Sequence, residues 1–68
     1  MCEYMSIDNV RKFMDLPPDE KSDSFIKGLI LDAEHTAGPV AERGSNIHEV
    51  LFKERLLDIK EELMHING

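Results

Sequence analysis

The sequence has little from which to build a cross-linked or metal-stapled structure. Cys2 is the only cysteine among 68 residues, which excludes an internal disulfide framework and any Cys-rich zinc module. Positive charge is also scarce. Eight Lys and Arg stand against fourteen Asp and Glu, a formal charge of −6, so no basic excess exists to hold a nucleic-acid backbone. Long apolar runs are missing, and Leu29-Ile30-Leu31 is as long as any; a membrane-spanning helix needs about 20 such residues. The opening residues Met1 to Met5 show no basic segment followed by an apolar one, so they do not read as a secretory signal. A lone thiol fits a reducing cytoplasm, and Cys2 reads as an inert free thiol rather than a redox handle.

What is present is helical patterning in a single small domain spanning residues 1–68. No Val/Ile/Thr-rich alternation suggests a strand. The expected class is all-α, a small bundle of three helices at about 6–15, 18–37 and 46–66. Residues 1–5 read as a frayed tail and 38–45, with two Gly and one Pro, as a loop.

The first segment has Ser6 as N-cap, with Met5 and Val10 at the hydrophobic-staple positions. Ile7, Val10, Phe13 and Met14 form its apolar stripe, and Pro17 is expected to end it. The second opens at Pro18, with Asp19 and Glu20 in the first turn and Ser22 as a competing later N-cap. Phe25, Ile26, Leu29, Ile30, Ala33 and Ala37 share one arc, Gly28 sits beside it, and Gly38-Pro39 stops it. In the third, Asn46 and Glu49 approximate a capping box.

The third segment carries two apolar stripes. Phe52, Leu56, Ile59, Leu63 and Ile66 step by 4, 3, 4 and 3, the average of a coiled-coil seam. Val50, Leu57 and Met64 repeat every seven. Glu49, Lys53 and Lys60 lie between them, where lysine stems can cover apolar surface. A helix with two stripes packs against two neighbours. The second segment supplies one by antiparallel return; the other is the first segment or a second chain. The 3.5-residue spacing favours a homodimer that completes a four-helix-type bundle.

Few residues are spaced for chemistry. His35, His48 and His65 lack ligand spacing, so they read as exposed or capping and no metal site is expected. Glu54, Asp58, Glu61 and His65 share one face, but an outer one, and read as solvated surface rather than a carboxylate metal site. There is no phosphate loop and no catalytic constellation, so neither enzyme activity nor a cofactor is expected. A helix-turn-helix reading meets a loop that is too long and a recognition helix opening Asn46-Ile47-His48-Glu49 without a base.

The expected function is therefore a small acidic, non-enzymatic interaction module. It would be a regulator, adaptor or inhibitor of a larger cytoplasmic protein. Its interface residues would be Val50, Phe52, Leu56, Leu57, Ile59, Leu63, Met64 and Ile66, with Glu54, Asp58 and Glu61 as an acidic face. Expected partners are a second copy of the chain and a larger protein with a basic or apolar groove, not nucleic acid or membrane. The alternative is a small dimeric DNA-binding transcriptional regulator.

Overall fold

The computed structural model describes residues 3–17 and 19–67, the side chains of residues 66 and 67 excepted. A short 3-10 turn over Glu3–Met5 leads into α1 (Ile7–Phe13), α2 (Asp23–Ala37) and α3 (Asn46–Asn67). The protein is all-helical, with no strand among the described residues. α2 and α3 form a hairpin, and α1 packs against α2. None of the described helices is long and apolar enough to cross a membrane. The molecule measures 34 × 22 × 15 Å. The long axis is that of α3, whose 22 residues span about 33 Å at 1.5 Å each. The 15 Å short axis corresponds to two backbone layers packed about 8–10 Å apart, so every helix keeps a face on solvent.

Local sequence accounts for most boundaries. The Ser6 hydroxyl accepts the Asn9 N–H at 3.2 Å, capping α1 as expected. Met5 and Val10 both reach the core, consistent with a staple. α1 ends at Phe13, earlier than Pro17 would impose. The stop is Asp15, which takes a left-handed conformation at φ 58°. The Asp15 N–H then donates to Lys12 O at 3.1 Å and the Leu16 N–H to Arg11 O at 3.0 Å. That pair of bonds is a Schellman closure.

α2 begins later than expected. Ser22 is its N-cap, accepting the Phe25 N–H at 3.3 Å. Asp19 and Glu20 therefore precede the helix, and Pro18 lies outside the described residues, as does Cys2. Arg11 secures the connection, donating to Lys21 O at 2.8 Å and pairing with Asp23 at 2.6 Å. At the other end Gly38 keeps right-handed angles, φ −58° and ψ −43°. The helix stops at Gly38-Pro39 as expected, without a left-handed glycine, and Pro39 has no N–H to continue it. The α3 cap is also corrected by one residue. The Ser45 hydroxyl, not the Asn46 side chain, accepts the His48 N–H, at 3.2 Å.

The core joins Val10 and Met14 of α1, Ile26, Leu29, Ala33 and Ala37 of α2, and Phe52, Leu56 and Ile59 of α3. Burying a large apolar side chain contributes about 1.5–3 kcal/mol. Six of these nine are larger than alanine or valine, so the core is thin and depends on few residues.

Candidate functional site

The two stripes of α3 separate cleanly. Phe52, Leu56 and Ile59 are 0%, 1% and 7% exposed and belong to the core of their own chain. Leu63 is half-buried against the same core. These four therefore pack into the core of their own chain, with α2 as the principal neighbour. The 3.5-residue spacing reflects intrachain packing along the long helix. The Ile66 side chain lies outside the described residues. Val50, Leu57 and Met64 behave differently, at 56%, 48% and 65% exposure. With Ile47, 63% exposed one turn before Val50, they form the apolar surface of α3 that its own chain leaves open.

The flanks of that open stripe are charged. Glu54, Asp58 and Glu61 are all exposed on one side, and His65 with them. No group of three or more metal-ligating side chains comes together among the described residues. On the other side Lys53 pairs with Glu49 at 2.8 Å, one helical turn away. Arg55 pairs with Asp32 of α2 through two bonds of 3.1 and 3.2 Å. Hydrogen bonding to the Asp32 carboxylate, then its charge, raises the Arg55 pKa above its ordinary value. Of the three Lys and Arg residues on α3, Lys53, Arg55 and Lys60, the first two are therefore engaged by carboxylates.

His48 is the residue that sequence reasoning missed. It is fully buried, whereas His35 and His65 are exposed as expected. Its Nδ1 lies 2.5 Å from the Tyr4 hydroxyl and its Nε2 lies 3.2 Å from Glu34 Oε2. The Gly44 N–H donates to the same Tyr4 oxygen at 3.1 Å. Glu34 Oε1 accepts from Arg43 at 3.3 Å. The Glu34 carboxylate only accepts, so the Nε2–H donates to it while Nδ1 pairs with the Tyr4 hydroxyl. Phe52 packs beside both rings, edge-on to Tyr4 at 5.5 Å and stacked on His48 at 6.2 Å.

Two glycines shape this polar chain. Gly44 sits at φ 91°, a region that L side chains rarely adopt, so glycine alone presents its N–H to Tyr4 without strain. A Cβ on Gly38 would stand 2.7 Å from Glu34 Oε1 and 2.8 Å from the Glu34 carbonyl. Gly38 therefore leaves room for the Glu34 carboxylate to fold over the end of α2.

One signal for His48 was available: it lies four residues before Phe52 and extends the buried stripe by a turn. Nothing local pointed to Tyr4, which is 44 residues away. An open groove beside Tyr4, between α1 and α3, carries Glu3, Lys12, Glu49 and Lys53. Its charges are of both signs, and no single ligand charge is selected. Comparison of the chain with family models, curated proteins and solved structures finds no match, so the functional reading rests on this geometry.

Proposed function

We propose that the protein is a small acidic, non-enzymatic interaction module that meets its partner through the open face of α3. The observation that carries this reading is the exposure of Val50, Leu57 and Met64 at seven-residue spacing on a helix whose other stripe is already buried. Apolar surface aligned along a rigid helix is a docking face rather than scattered surface residues. Glu54, Asp58 and Glu61 beside it would steer a basic partner and set its orientation. The non-enzymatic part of the reading is supported by His48, whose two ring nitrogens are taken up by Tyr4 and Glu34. A cytoplasmic setting is supported by the single cysteine.

The test compares wild type with Leu57→Glu as bait in an extract of the native host. Leu57 is outside the core, so the variant should keep its helical signal and melting temperature. Wild type should retain a protein that the variant loses. Identical retention by both would sink the reading.

A further inference from the structure

Resting on that reading, we propose that the open face of α3 pairs with the same face of a second copy, the two helices running parallel and in register. At 100° per residue, Leu57 lies midway between two charged edges. Lys53 and Lys60 flank the apolar stripe on one edge, and Glu54 and Glu61 flank it on the other. A twofold axis along the helices sets the basic edge of one copy against the acidic edge of the other. Lys53 then lies beside Glu54 of the second copy, and Lys60 beside Glu61. An antiparallel twofold does the reverse, bringing lysines to lysines and glutamates to glutamates, which costs free energy. The apolar layers become Val50, Leu57 and Met64, each against its own copy.

Lys60, Glu54 and Glu61 make no ion pair within the chain among the described residues. They are therefore available across such an interface. A strip one helix wide falls short of the roughly 1,000 Å² that stable complexes bury, and each copy carries −6. The pairing is accordingly weak and populated at high concentration. It leaves Asp58 and Glu62 of both copies exposed, as two acidic ridges.

Orientation is testable by disulfide trapping in a Cys2→Ser background. Val50→Cys and Met64→Cys alter exposed positions, so both variants should keep the fold. Under mild oxidation each variant alone should form a disulfide-linked dimer, and mixing them should give almost no mixed species by mass spectrometry. Mixed species in place of the self-linked ones would overturn the parallel arrangement. Equal trapping in every combination, or none, would overturn the pairing. Lys60→Glu should slow Met64→Cys trapping at least threefold, and adding Glu61→Lys should restore it. A chain that stays monomeric at hundreds of micromolar, yet loses its captured host protein through Leu57→Glu, would overturn the pairing and leave the interaction reading standing. A monomer that captures nothing would overturn both.

Discussion

Gly28 within α2 and Gly38 at its C-cap respond oppositely to the same change, because their surroundings differ. A Cβ on Gly28 meets nothing within 4 Å, so Gly28→Ala removes a helix-propensity penalty without a clash. It should stabilise the protein by about 0.5–1 kcal/mol. Gly38→Ala should destabilise it, since the obstructing atoms include the backbone carbonyl of Glu34 as well as its carboxylate. Thermal denaturation separates the two, as 1 kcal/mol moves the midpoint of so small a domain by about 4–8 °C. At the neighbouring network, His48→Phe keeps an aromatic ring beside Phe52 but removes both hydrogen bonds. It should cost about 1–3 kcal/mol. In that background Tyr4→Phe should cost much less than it does alone, a coupling measurable in a double-mutant cycle. Arg55 behaves differently with pH. Its raised value means that, while Asp32 is ionised, the stability added by the pairing is present below the ordinary guanidinium range and is lost on the alkaline side only in strong alkali. No stability change near neutrality should trace to it.

The helices differ in how far local sequence decides them. Leu56→Ala should cost about 2–5 kcal/mol, the cost of a core truncation, because Leu56 is 1% exposed. Leu57→Ala, one residue on, should stay within about 0.5 kcal/mol. Urea denaturation of the pair checks the division of α3 into closed and open faces. That both stripes exist, and that α2 and α3 return on each other, was legible from spacing alone. Which stripe the chain would use was not, because the periodicity of an apolar row is the same whether its neighbour is intrachain or not. The ends were read less well, for identifiable reasons. Pro17 and Asn46 are strong local signals, but Asp15 accepted a left-handed conformation that sequence assigns first to glycine. Ser45 preceded Asn46 by one position with an equally good oxygen. Asp15→Gly should accordingly stabilise α1 by about 0.5–1 kcal/mol, read from the same urea curves.

At the scale of the whole molecule, two layers of helix enclose only a small interior. Its cohesion depends on Tyr4, which bridges the N-terminal turn to α3 and to the loop before it. That bridge spans 44 residues of sequence, while the α2–α3 hairpin forms from neighbours. It also fixes an order of events during synthesis. Tyr4 leaves the ribosome while its partners His48 and Phe52 on α3 are still unmade. At about 5–20 residues per second, the wait is about 2–9 s. For that interval the Tyr4 ring has neither His48 nor Phe52 to pack against, an aromatic surface that the finished protein covers.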